Sequence, residues 1–137
     1  MNLSNGFRNV ALLNPRNTAI EWQESKLLYG EMETQVARMA MGLLSRHNLK
    51  PGAKIAIVME NCPEFLIILM AVWRAGLVAV PINVKLHPKE LTWIFQNAGI
   101  ELILASQQIA NNLDCRHPVI SLGSRDYRCL ISEEGIT

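Results

Sequence analysis

Hydrophobic and polar positions along the chain sort into a few clear patterns. Between Glu31 and His47, Met32, Val36, Met39, Ala40, Leu43 and Leu44 recur at the spacing of one helical stripe. Glu31, Gln35, Arg38 and Arg46 stay off that stripe, and Pro51 with Gly52 ends the helix near Asn48. Residues 54–59 then read Lys-Ile-Ala-Ile-Val-Met, apolar without alternation, as a strand covered on both faces does. Asn61-Cys-Pro-Glu64 reads as a helix start, with Asn61 as the cap and Pro63 in the first turn. The helix that follows, near 63–75, is apolar nearly all round, which predicts deep burial. Arg74 in its last turn and Gly76 just beyond suit a C-terminus.

Residues 77–82 form a second buried strand, with Pro81 marking where pairing stops. Pro88 opens a third helix, near 88–98, in which Leu91, Ile94, Phe95 and Ala98 share a face. Gly99 stands where a left-handed residue belongs, and residues 100–105 make a third strand. The linkers are too long for hairpins, so the expected fold is α/β: a parallel βαβαβ sheet with helices on both faces and right-handed crossovers. Leu3 to Asn14 reads as an opening helix, Thr18 to Trp22 as an earlier strand, and residues 119–122 as one more strand. Signals weaken from Gln107 onward. A single domain over 1–137 is expected, with a weakly structured tail near 123–137 and no clear element at 132–137.

Composition narrows the picture mainly by exclusion. At 137 residues, half of them apolar and 18% charged, the chain is long enough for a core and is not a disordered tail. Thirteen basic residues against twelve acidic ones leave a net charge of +1, without the excess a nucleic-acid binder carries. Three cysteines, Cys62, Cys115 and Cys129, are odd in number and lack short repeat spacing, so free thiols and a cytoplasmic, reducing compartment are expected. Polar residues such as Asn5, Arg8, Asn9 and Asn14 interrupt any secretory leader. The apolar run Phe65 to Trp73 falls far short of the ~20 residues that span a bilayer.

Candidate chemistry is sparse. The eight glycines stand at 6, 30, 42, 52, 76, 99, 123 and 135, never close enough to cradle phosphates. Cys115 and His117 form the only close pair of zinc-type ligands and have no partner half, so a surface loop is the expectation there. No Gly-x-Ser-x-Gly elbow is present. His47 closes a helix, where a cation complements the dipole. His87, Glu60 and Asn61 follow the C-terminal ends of parallel strands, where open α/β sheets gather ligands. Capping is nevertheless the expected role of His87 and Asn61, and core packing that of Met39, Met41 and Trp73.

Read in order, the segments resemble the AMP-forming adenylate superfamily of acyl-CoA synthetases, coumarate ligases, luciferases and peptide-synthetase adenylation domains. The resemblance rests on Pro15-Arg-Asn-Thr-Ala-Ile20, Leu28-Tyr-Gly-Glu31, Leu49-Lys-Pro-Gly52 and Ile55-Ala-Ile57. It continues through Asn61-Cys-Pro-Glu-Phe65, Arg74-Ala-Gly76, Val80-Pro-Ile-Asn83 and Glu90-Leu91, covering roughly Leu13 to Ala105. Ala53 and Val84 depart from the usual aspartate and proline, neither of which carries chemistry.

The resemblance implies an N-terminal subdomain. The family's phosphate loop, acidic magnesium and ribose residues and catalytic lysine lie beyond the matching region. No catalytic, cofactor-binding or metal residue is therefore carried over, and the chain alone is expected to be inactive. For an intact relative the resemblance implies ATP, magnesium and CoA, a carboxylic acid substrate and a place in acyl or fatty-acid metabolism. The remainder of the adenylating enzyme is the expected partner, with self-association through an uncovered apolar face. The alternatives left open are a peptide-synthetase adenylation domain and a free-standing, non-catalytic α/β interaction module.

Overall fold

A computed structural model describes residues 2–113 and 116–131. Helix α1 (Leu3–Leu13) starts at Asn2, whose side chain accepts from the Ser4 N–H. Strands β1 (Thr18–Trp22) and β2 (Ser25–Leu28) form an antiparallel hairpin in a sheet of their own. Helix α2 (Tyr29–His47) follows without a gap; its Glu31 reaches back to accept from the Leu28 N–H at 2.9 Å. It ends at Asn48, which takes the left-handed conformation at φ 49°.

The main sheet holds β3 (Lys54–Val58), β4 (Val78–Pro81), β5 (Ile100–Ala105) and β6 (Val119–Ser121), all parallel, in the order β4-β3-β5-β6. Helix α3 (Pro63–Arg74) links β3 to β4, and α4 (Pro88–Asn97) carries the chain back across β3 to β5. Two short helices complete the fold, α5 (Gln107–Asn112) and α6 (Arg125–Ile131).

Right-handed crossovers require helices on opposite faces when the chain moves in opposite directions along the sheet. The two apolar clusters have that division. On one face Ile55, Ile57, Leu102 and Leu104 meet α2, α3 and α6; on the other Ala56, Val58, Ile103 and Ala105 meet α4 and α5. Among the described residues the first cluster contains nineteen buried side chains and the second only seven. Most of the core therefore lies on the α2/α3/α6 face.

Several expectations need correcting. β4 and β5 follow one another in the chain but are not neighbours, because β3 lies between them. Pairing ends at Pro81, as its position in the sequence suggests, with Pro81 itself opposite Ile57. The Val78 N–H donates to the Ala53 carbonyl just before β3 and the Ile82 N–H to that of Ile57, so Pro81, one residue out of phase with them, turns its nitrogen away and forfeits no ladder bond. Pro63 occupies the first helical turn, which makes Cys62 rather than Asn61 the N-cap of α3. Leu66 on α3 is 41% exposed, Leu44 41% and Met41 53%, so those flanks lack a cover. The region read as a weak tail contains α6, where Tyr127 and Leu130 are buried; residues 132–137 lie outside the described set. Gly76 behaves as expected: at φ 77° it lets its own N–H reach the Trp73 carbonyl and the Leu77 N–H reach that of Val72.

Candidate functional site

The chain leaves β3 toward β4 and leaves β5 toward β6, in opposite directions. Their carboxyl ends thus mark a topological switch point, where no crossover connection fills the space between the strands. The Ser106 N–H ties the β5 end to β3 by donating to the Val58 carbonyl at 3.1 Å, and the Leu122 N–H ties the β6 end to β5 by donating to that of Ala105 at 2.9 Å. A cleft of about 620 Å³ opens there, lined by Trp22, Asn61, Cys62, Ser106, Tyr127 and Arg128 among others.

Each wall has a local cause. Asn61 and Cys62 are placed by the turn that Pro63 forces at the start of α3. Ser106 is the N-cap residue of α5, but its hydroxyl makes no cap bond; its Oγ is buried with no hydrogen-bond partner among the described residues. Tyr127 is turned inward by α6, whose first turn is fixed by the Ser124 Oγ accepting from the Tyr127 N–H. Arg128 donates to the Gly123 carbonyl at 2.6 Å, which holds its guanidinium at the rim.

The electrostatics favour neutral groups. Burial pushes the Cys62 thiol above its ordinary value, reinforced by the nearby Glu64 carboxylate. Burial also pushes the Tyr127 phenol up, with Glu64 and Cys62 adding to the effect. A nucleophilic thiol needs the opposite shift, so burial works against thiolate formation at Cys62. The cleft presents a hydroxyl, a thiol and a phenol suited to contact and hydrogen bonding, with no activated nucleophile or tuned base among them.

A second cleft of about 470 Å³ lies on the α4/α5 side, with apolar walls from Val84, Leu86, Leu91 and Ile109 and with Lys85 at its edge. Glu60 lines both clefts. The structure therefore brings Glu60 and Asn61 to the strand ends and leaves His87 apart. The His87 Nδ1 accepts from the Lys89 N–H at 3.1 Å, so it is the cap of α4, as its sequence position suggests.

His47 does end α2, but burial is the largest influence on it and pulls its pKa below the ordinary value; Asp126 opposes this and Arg46 adds to it. It is a weaker cation for the helix dipole than its position implies. Met39 is buried, Trp73 half-buried and Met41 exposed, so the three do not form one core cluster. Cys115 lies outside the described residues, and the His117 ring meets Phe95 edge-on at 6.2 Å between centroids. Among the described residues no group of three His, Cys, Asp or Glu side chains is placed to hold a metal ion. Nor is any described helix long and apolar enough to cross a membrane. Cys62 and Cys129 are free thiols.

Sequence reasoning missed Ser106, Tyr127 and Arg128. They belong to short segments without periodicity, and only the rule about strand ends after β5 could have pointed to Ser106.

Comparison with known proteins adds the family. A family model described as AMP-binding enzyme matches residues 7–134. A 2-succinylbenzoate–CoA ligase of Bacillus cereus is 30% identical over 105 residues, which is 77% of this chain and 22% of the relative. A crotonobetaine/carnitine–CoA ligase of Escherichia coli is 35% identical over 80 residues, 58% of this chain and 15% of the relative. Among solved structures, the NpsA N-terminal subdomain of Klebsiella oxytoca in complex with 3-hydroxybenzoyl-AMSN superposes with a TM-score of 0.80 at 23% identity. That match covers 96% of this chain and 31% of the NpsA subdomain. The nonribosomal peptide synthetase FmoA3 gives a TM-score of 0.84 at 22% identity, covering 93% and 14%. The chain thus spans about a fifth of the length of the curated relatives it matches.

Proposed function

The chain belongs to the AMP-binding enzyme family, and from that premise we propose that it is the supporting N-terminal part of an acid–CoA ligase. Such an enzyme joins a carboxylate to the α-phosphate of ATP, releasing pyrophosphate, and then passes the acyl group to the CoA thiol, releasing AMP. In this reading the chain supplies a rigid parallel sheet whose β3 and β5 ends face the rest of the enzyme. The reactive groups come from segments beyond it.

The observation that carries the proposal is the sequence likeness to two CoA ligases, at 30% and 35% identity. The second reading, a peptide-synthetase adenylation domain, is favoured by the fold likeness to NpsA and FmoA3. The residues at hand do not fit triphosphate. Its charge needs clustered backbone N–H donors or a cationic clamp with magnesium ligands. The glycines are too widely spaced for such a cradle, and the walls of the switch-point cleft bring two carboxylates, Glu60 and Glu64, to one arginine. ATP, magnesium and CoA would be held by later parts of the enzyme.

Two chimeras test this. In each, the chain replaces the matching region of a host, the B. cereus CoA ligase or K. oxytoca NpsA, and acid-dependent pyrophosphate exchange is measured. Exchange restored in the ligase frame and weaker in the NpsA frame is the expected result; the reverse order would favour the second reading. The chain alone should show neither exchange nor a thermal shift with millimolar Mg-ATP. A ligand at 100 times its Kd would add about 2.7 kcal/mol, several degrees for a domain of this size. Such a shift would reveal a nucleotide site in these residues.

A further inference from the structure

Helix α1 is held at its two ends by different kinds of bond. Its C-terminal end is fixed through the backbone of the following loop: the Gly30 N–H donates to the Pro15 carbonyl at 3.0 Å, and the Tyr29 N–H donates to that of Asn17 at 2.9 Å. A Cβ at Gly30 would stand 3.1 Å from the Pro15 oxygen, so this junction is close as well as bonded. Its N-terminal end is fixed by side chains. The Arg74 guanidinium, in the last turn of α3, donates through Nε to the Ser4 Oγ at 2.9 Å and through one terminal nitrogen to the Ser4 carbonyl at 3.0 Å. The same fork grips both Glu33 carboxylate oxygens at 2.8 Å, so α1, α2 and α3 meet at one guanidinium. The Asn2 side chain adds a bond to the Trp73 carbonyl.

Apolar burial contributes little to the docking of α1. Only Ser4 and Ala11 are buried in it, and Phe7 is half-buried against the Tyr29 ring at 5.8 Å. Leu3, Leu12 and Leu13 are 65%, 65% and 82% exposed. The Arg74 and Glu33 side chains, by contrast, are 14% and 16% exposed, which places their ion pair where solvent screens it weakly. A bidentate guanidinium–carboxylate pair has fixed geometry, and loss of either partner leaves a poorly solvated charge.

We infer that Arg74 is a latch and α1 a strap, which opens as a unit about residues 14–17 while the main sheet stays folded. Opening uncovers the Phe7 and Ala11 seat on α2 and α3. The structure thus contains a two-position device whose balance is set by one arginine rather than by the core.

Hydrogen exchange read by mass spectrometry on the 137-residue chain tests the inference. The unvaried chain should exchange residues 3–13 ahead of β3 and β5, in a separate opening. Arg74→Met should speed exchange in 3–13 at least tenfold and leave the β3 and β5 amides within twofold. Glu33→Gln preserves shape and one acceptor, so it should fold normally and speed α1 exchange by a smaller factor, severalfold. Trypsin cleavage after Arg8 should follow the same order. If 3–13 and the sheet exchange together in every variant, or if Glu33→Gln leaves α1 exchange unchanged, the latch is overturned. Should Arg74→Met fail to fold, the Glu33→Gln result decides.

Discussion

The two faces of the parallel sheet are built from the same strands and carry very different loads. On the α2/α3/α6 face, Ile57 and Leu104 are fully buried among side chains from three helices. On the α4/α5 face, Val58 and Ile103 are equally buried, but under one helix of ten residues and one of six. The strands themselves cannot tell the faces apart, since both read as continuous apolar runs. What differs is the cover. A face closed from three sides cannot relax around a lost side chain, whereas one with a thin cover can settle into the gap.

Neighbouring residues of β5 give the largest test of that contrast. Leu104 points into the heavily covered face and Ile103 into the other. Leu104→Ala should cost about 4–5 kcal/mol and Ile103→Ala about 2–3, within the range for large-to-small core changes. Chemical denaturation of both variants checks this, and equal costs would mean that cover does not matter.

A smaller effect is expected at Gly42, on the face of α2 that meets α6. A Cβ there would lie 2.7 Å from the Leu130 carbonyl oxygen and 3.0 Å from its Cα, so Gly42→Ala must displace backbone rather than a flexible side chain. The expected cost is about 1–3 kcal/mol. Amide exchange in 125–131 should accelerate before that of β3. Unchanged exchange there would show that α6 does not need the close approach.

The smallest effect concerns alkaline pH. Tyr127 has a raised pKa because of burial first, then the negative charge of Glu64 and Cys62. A group raised in the folded state binds its proton more tightly there than in the unfolded chain, whose tyrosines titrate near 10. Its contribution is therefore complete below about pH 10 and is lost as pH rises beyond it. Tyr127→Phe should flatten that alkaline decline and leave stability at pH 7 within about 1 kcal/mol. An unchanged pH profile would place the titrating group elsewhere.

Legibility did not follow the cover: α2 and α3 on one face and α4 on the other were all foreseen. The stripe Met32, Val36, Met39 and Leu43 gave α2, and the unbroken apolar runs, buried on both faces, gave β3 and β5. Strand β1 was foreseen at Thr18 to Trp22, but its partner β2 and the hairpin they form were not. The hairpin turn passes through Gln23 at φ 55° rather than a glycine or asparagine, so it carries no turn signature. Helices α5 and α6, at six and seven residues, are too short to show a period. The candidate site was legible by half for the same reason. The β3 end announced Glu60 and Asn61 through Pro63, but the opposite wall, with Tyr127, comes from a helix too short to show a period.

Pro81 bears on how copies of this chain meet. Along the edge of β4 that no described strand pairs with, only Ala79 and Pro81 direct their backbone groups outward, since the residues on either side of each are engaged on the β3 side. Proline has no N–H, and the Leu77 N–H is already given to the Val72 carbonyl. Two such edges laid antiparallel about Ala79 would gain one reciprocal pair of bonds there and leave the Pro81 carbonyls facing no donor. An edge that can satisfy a partner at a single residue is a poor seed for a growing ribbon. Crowded chains would meet through the exposed leucines of α1 and α3 sooner than through their sheets.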